Sequence, residues 1–163
     1  MQYTIEKMPA MKVIGFHRKI TPNQAYRECP AFWEEIQQKY FSKLTDGSPV
    51  SRAITENCIG EFGICMEHIP CENFGYMIAG PYRGGPVPEE MVLRTIPETT
   101  WAKFTCIGSL PEALQSVNTK IWQQWLPNSP YRIAGDPVIE WYDDADPQSP
   151  DYHSEIWLPV CKK

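Results

Sequence analysis

Two glutamates in the chain each stand two residues ahead of an aromatic ring: Glu140 before Tyr142, and Glu155 before Trp157. Both pairs lie in segments rich in branched and aromatic residues, about Val138 to Tyr142 and Ser154 to Val160, which read as strands. Side chains two apart on a strand share a face. The expectation is one face that combines two carboxylates with two rings, while Ile156 and Leu158 pack under helices on the other. Such a face suits a lipophilic cation, because each ring supplies cation–π attraction of about 0.5 to 2 kcal/mol and a carboxylate in a site of lowered dielectric neutralises the charge. The alternative is hydrolysis, with Glu155 as a general base of raised pKa and Tyr142 or Tyr82 hydrogen-bonding a developing oxyanion. The ordinary role of a strand glutamate, solvated or paired with Lys or Arg, stands beside both.

Other chemistry is thinly represented. The chain has no G-x-S-x-G, no Walker loop and no H-E-x-x-H, and the glycines from Gly80 to Gly85 lack the order of a dinucleotide loop. His17, His68 and His153 are isolated, although His153 falls two residues before Glu155 and has the parity of its face. Cys29, Cys58, Cys65, Cys71, Cys106 and Cys161 form no C-x-x-C pair, so no metal site, cofactor or redox motif is expected, and the thiols read as reduced and mostly buried.

The elements that must position these residues come from an internal repeat. Met8-Pro9 recurs as Ile96-Pro97, Phe16 as Phe104, and Thr21-x-x-Gln24 as Ser109-x-x-Glu112, each at 96 − 8 = 88 residues. The last pair has the form of a capping box at a helix start. Phe32, Trp33, Ile36, Tyr40 and Leu44 then follow helical spacing, with Pro30 expected to kink or restart the helix. So do Ala113, Leu114, Val117, Ile121, Trp122 and Trp125. Trp33, Trp122 and Trp125 are expected in the core. Loops follow at Thr45 to Ser51 and Asn128 to Asp136, and the first half adds strands at about Ile59 to Glu67 and Phe74 to Tyr82.

The expected fold is a single α+β domain of duplicated β-α-β-β units with pseudo-twofold symmetry. Repeat one covers about 1–84, a linker about 80–90 and repeat two about 91–163. An eight-stranded, curved, antiparallel-rich sheet carries helices on one face and a ligand cleft on the other. At an offset of 80, Gly75 and Met77 fall at the positions of Glu155 and Trp157, so the first half is expected to offer a smooth apolar wall of Met77, Ile64 and Met66, with Tyr82 nearby.

Composition bounds the partners. Fifteen Lys and Arg against 20 Asp and Glu give a net charge of −5, which supplies no positive field for a phosphate backbone. No apolar run approaches the roughly 18 residues of a membrane span, and Met1 to Ala10 lacks the order of a signal peptide. A cytoplasmic protein without a membrane or direct nucleic-acid partner is expected. The exposed linker and edge strands leave a homodimer open.

The succession Trp125-Leu126-Pro127-x-Ser129-x-Tyr131, Pro137-x-x-Glu140-x-Tyr142 and Glu155-Ile156-Trp157-x-Pro159-Val160 resembles the GyrI-like, or AraC-type, effector-binding domain family over essentially the whole chain. The resemblance implies an SHS2-type fold, related to that of the haem-binding SOUL proteins, although nothing here names an iron ligand. It implies that Glu140 and Glu155 line a pocket for cationic amphipathic compounds, with Tyr142 and Trp157 beside them. With Tyr3 already in the first strand, the chain looks like the free-standing members. These include small integron-cassette binding proteins, a group that hydrolyses cyclopropane-bearing natural products and a group that interacts with gyrase.

Overall fold

Ile14, Phe16 and Ile20 of β2 (Met11–Ile20) share parity and all are buried, so this strand turns one face into a core. Phe74, Tyr76 and Ile78 of β4 (Phe74–Pro81) join that face, because β2 and β4 pair antiparallel with Phe16 opposite Ile78 and Ile20 opposite Phe74. Phe32 and Ile36 of α1 (Ala25–Lys39) close over it, with Val50, Ala53 and Ile54 of α2 (Pro49–Glu56). β3 (Phe62–Met66) pairs with β4, and β5 (Val92–Ile96) with β2. Together these elements make a continuous unit, Met11–Ile96, in a computed structural model that describes residues 1–67 and 72–163. His68 and Cys71 lie outside the described residues.

A second, split unit takes Met1–Ala10 with Pro97–Lys163. In it β1 (Tyr3–Met8) pairs with β6 (Thr99–Ile107), and β6 with β9 (His153–Lys162). β9 also pairs with β7 (Tyr131–Ile133) and β8 (Val138–Tyr142). Phe104, Cys106, Ile156 and Leu158 face one core with Leu114 and Val117 of α3 (Glu112–Lys120) and with Ile121 and Trp125 of the π-helical turn that continues it. The fold is therefore α+β, antiparallel, with the helices of each unit on one face of its strands, as expected. The repeat is visible in the pairing itself: Met8 faces Thr99, and 88 residues later on one strand and earlier on the other, Ile96 faces Met11. Each unit takes its first strand from the opposite end of the sequence repeat.

Several local expectations are corrected. The described residues hold nine strands rather than eight, because β7 forms inside the segment read as a loop. The first loop ends in α2, where Ser48 Oγ accepts the Ser51 N–H and Pro49 takes the first helical position. Neither capping box forms. Gln24 donates its backbone N–H to the Thr21 carbonyl in a 3-10 turn and becomes the residue before α1, while Thr21 N–H goes to the Glu28 carboxylate. Pro111, not Ser109, precedes α3. α1 runs through Pro30 without restarting, and Tyr26, whose carbonyl lies four residues earlier and loses that donor, is exposed. Trp122 is 50% exposed rather than core. Of the described cysteines, Cys106 is buried, Cys29, Cys65 and Cys161 are half-buried, and Cys58 is exposed. No helix among the described residues is long and apolar enough to cross a membrane.

Candidate functional site

Residues directly opposite in an antiparallel pair point to the same side of the sheet. In β8 and β9, Ile139 faces Trp157, Glu140 faces Ile156, Trp141 faces Glu155 and Tyr142 faces Ser154. Glu140 and Tyr142 therefore share the helix-covered face with Ile156, and Glu155 and Trp157 lie on the reverse. The expectation of one face with both carboxylates is overturned. Alternation holds within each strand, but the register between them joins Glu155 to Trp141 rather than to Glu140. Ile156 and Leu158 do pack under the helical layer.

The Glu155 face is polar and aromatic. Trp157 Nε1–H donates to Glu155 Oε2 at 2.6 Å, which orients the carboxylate beside the indole. His153 Nε2 lies 3.4 Å from Glu155 Oε1, and the Trp141 ring meets the His153 ring edge-on with centroids 5.2 Å apart. From β6, directly opposite Trp157, Lys103 sets its Nζ 4.0 Å from the indole centroid and pairs with Glu6 at 2.9 Å. Trp101 lies 6.1 Å from Trp157 by ring centroids. The Glu155 side chain retains 23% of its exposure and that of Lys103 only 14%. This face thus holds three indoles, the partly exposed Glu155 carboxylate, and a lysine whose charge the Glu6 carboxylate, on the same face, already balances.

The helix-side group is more enclosed. Glu140 accepts a short hydrogen bond from the Tyr142 hydroxyl. Burial pushes its carboxyl above the usual range, and that hydrogen bond only opposes the shift. Ser154, opposite Tyr142 in β8 and Cys106 in β6, buries its hydroxyl against the Cys106 thiol, and the Trp125 indole N–H in the same helical layer is unpartnered. Burial drives the neighbouring Cys106 thiol up to about 12; Ser154 opposes the shift, and the Glu140 and Glu155 charges add to it. Cys106 is therefore a packing residue and not a nucleophile.

The continuous unit carries the remaining expected residues. Ile64 faces Met77, and Met66 faces Gly75, so Ile64, Met66 and Met77 share one face and all are buried. Tyr82 does not join them; it packs against the helix-side core and donates its hydroxyl to the Gly85 carbonyl. The offset of 80 is also corrected. His17 faces Met77 as Thr105 faces Glu155, and since 105 − 17 = 88, Glu155 corresponds to Met77 at 155 − 77 = 78 residues. Ile64 then stands where Trp141 does, and Ala79 where Trp157 does.

That face also carries a polar group, which no motif in the sequence marks. Glu67 bridges His17 Nε2 at 3.2 Å and Arg94 Nε at 3.1 Å. Partial burial raises the Glu67 carboxyl, but the Arg94 hydrogen bond and the His17 and Arg94 charges outweigh it and hold the group below the usual range. Gly75 makes room for the pair, since a Cβ there would lie 2.6 Å from His17 Nε2. Among the described residues no group of three or more His, Cys, Asp and Glu side chains is arranged to hold a metal ion. An open depression of about 420 Å³ runs along α1 past Ala31, Glu34, Glu35, Gln38 and Lys39, and includes none of the expected site residues.

Comparison with known proteins adds two findings. Residues 4–160 match the family described as integron-associated effector binding protein. Among solved structures the chain resembles SAV2435 bound to tetraphenylphosphonium, with a TM-score of 0.79, 21% identity, and 99% of this chain and 94% of that one covered. It also resembles a putative bacterial transcription regulation protein from Staphylococcus aureus, with a TM-score of 0.75, 23% identity and 98% of each chain covered. Integron cassette protein VCH_CASS2 from Vibrio cholerae gives a TM-score of 0.68 at 17% identity, with 98% of this chain and 95% of that one covered. These likenesses establish the fold. No curated protein matches the chain by sequence.

Proposed function

The chain belongs to the integron-associated effector binding protein family, and from that membership and the geometry of β9 we propose that it captures lipophilic organic cations on the Glu155 face of the split unit. The observation that carries this reading is the Glu155 carboxylate held by the Trp157 N–H at 2.6 Å, with Trp141 directly across the sheet from it. A carboxylate fixed among indoles offers a counter-charge where water is partly excluded, and the ring faces add about 0.5 to 2 kcal/mol each for a desolvated cation. Lys103 fills one side of the Trp157 ring, so a ligand takes the Glu155 edge and the Trp141 side. The tetraphenylphosphonium held by SAV2435, a protein of the same fold, supports a ligand of this chemistry.

Isothermal titration with tetraphenylphosphonium tests the reading. Glu155→Gln is expected to weaken binding about tenfold, the loss of one ion pair of roughly 1.4 kcal/mol at intermediate dielectric. Glu140→Gln, on the other face, leaves it unchanged. Equal affinity in Glu155→Gln and the unaltered protein removes Glu155 as counter-ion.

The Glu140–Tyr142 pair favours a second reading. Burial keeps the Glu140 carboxyl protonated to higher pH than usual, as a general acid requires. The hydrolytic pairing of Glu155 with Tyr142 is not formed, since those residues occupy opposite faces. A cyclopropanoid hydrolase would instead use Glu140 with Tyr142. Incubation with an activated cyclopropane and mass analysis for a gain of water tests it, and no turnover leaves capture as the function.

A further inference from the structure

His153 occupies a place beside the Glu155 carboxylate at ion-pair distance. Its Nε2 is buried, lies 3.4 Å from Glu155 Oε1, and has no hydrogen-bond partner with proper alignment. A neutral imidazole nitrogen in that position gains little from the carboxylate; an imidazolium gains an ion pair. The groups facing it within the split unit are mostly acidic. Glu155 approaches from β9 itself, and Asp143, whose backbone N–H donates to the His153 carbonyl at 3.3 Å, lies directly across beyond the end of β8. Asp144 follows Asp143 and, with it, lifts the Tyr152 phenol above its ordinary value, although burial is the larger cause. From β6, Ile107 is opposite His153 and Thr105 is opposite Glu155, and neither carries charge. The lysine further along this face, Lys103, is committed to Glu6 at 2.9 Å. Among the described residues of this unit, His153 is thus the one side chain that can switch the charge set against Glu155.

We propose that His153 is the built-in competitor for the Glu155 carboxylate, so that cation uptake on this face expels a proton. This rests on the cation-capture reading above. When the imidazole is protonated, the Glu155 charge is already balanced and an incoming cation meets an imidazolium. When the proton leaves for solvent, the face regains one unpaired negative charge, which fits a ligand of single positive charge. The ligand and the proton therefore exclude one another, and affinity rises with pH until His153 is fully neutral.

Tetraphenylphosphonium is the suitable probe because its charge does not change with pH. Its binding is measured by isothermal titration from about pH 5.5 to 8.5, in two buffers of different ionisation enthalpy. The expected result is a Kd that rises toward tenfold for each unit by which the pH falls at the acid end, is flat at the alkaline end, and is accompanied at acid pH by release of up to one proton per ligand. His153→Asn and His153→Gln, each checked for an unchanged unfolding temperature at pH 8, are expected to bind with a Kd that no longer depends on pH across this range and with no proton release. Asp143→Asn is expected to keep the slope. A flat profile in the unaltered protein, or a slope that survives both His153 variants, overturns the proposal while leaving cation capture intact. Absence of binding at every pH overturns capture and this proposal with it.

Discussion

Glu140 and Glu155 are chemically alike, but opposite sheet faces give them different consequences for stability. Burial holds the Glu140 carboxyl above its ordinary value, and the Tyr142 hydrogen bond only partly offsets that. The folded state therefore binds this proton more tightly than the unfolded state, where an ordinary glutamate titrates near about 4.3. By linkage, the contribution of Glu140 to stability is fully present below that unfolded value and is lost as the pH rises through the folded one. Glutamine resembles the protonated carboxyl in size and hydrogen bonding. Glu140→Gln is expected to match the unaltered protein's Tm near pH 4 and to exceed it at pH 8, with about 2 to 4 °C for each kcal/mol in a chain of this size. Thermal unfolding followed by circular dichroism at the two pH values checks this. An equal or lower Tm at pH 8 would mean that the charged carboxylate is accommodated.

At the scale of elements, the π-helical turn after α3 decides which tryptophan is structural. Ile121 and Trp125, four residues apart, both point into the core, while Trp122 is rotated outward and bonds Asn118 on its own helix. Trp125 meets Phe104 edge-on at 4.8 Å and stacks on Tyr131 at 6.2 Å. Trp125→Ala is expected to cost about 3 to 5 kcal/mol in urea unfolding and Trp122→Ala less than about 0.5 kcal/mol. Comparable losses in the two would place both in the core. The same distinction explains what the sequence makes legible. The shared face of Glu155 and Trp157 in β9, with Ile156 and Leu158 on the other, and the spacing of Phe32 and Ile36 follow from the period of one element, and the structure has them so. The register between β8 and β9 depends on two strands separated by a turn-rich segment, and nothing local links Glu155 to Trp141 rather than to Glu140. Lys103 and Glu6 were out of reach for the same reason: their strands meet only after β1 crosses to pair with β6. His153 was within reach by parity, but its closeness to Glu155 depends on side-chain placement.

At the scale of the molecule, the duplication of 88 residues is expressed through exchanged first strands. β1 leaves the sequence neighbourhood of β2 to pair with β6, and β5 leaves that of β6 to pair with β2. Each crossing is made by only two residues, Pro9-Ala10 and Pro97-Glu98, between the strand ends at Met8 and Met11 and at Ile96 and Thr99. Connections this short keep the ends of adjoining strands within about 11 Å of each other, since an extended residue spans at most about 3.6 Å. A transition in β1 therefore begins two residues from β2, whose Ile14, Phe16 and Ile20 anchor the continuous unit, and common unfolding of the two is the expected outcome. Tyr3 is the residue through which to test this, because its ring packs 5.4 Å from Phe104 and 5.3 Å from Trp125 although 43% of the residue is exposed. Tyr3→Ala is expected to remove about 1 to 2 kcal/mol, from roughly half of an aromatic side chain's burial and its ring contacts. The loss should shift one common transition, whether unfolding is followed by tryptophan fluorescence or by hydrogen exchange at β2. A split transition, with the β2 amides keeping their full protection while the split unit opens, would show that the short crossings do not couple the two units and that duplication left each unit to fold alone.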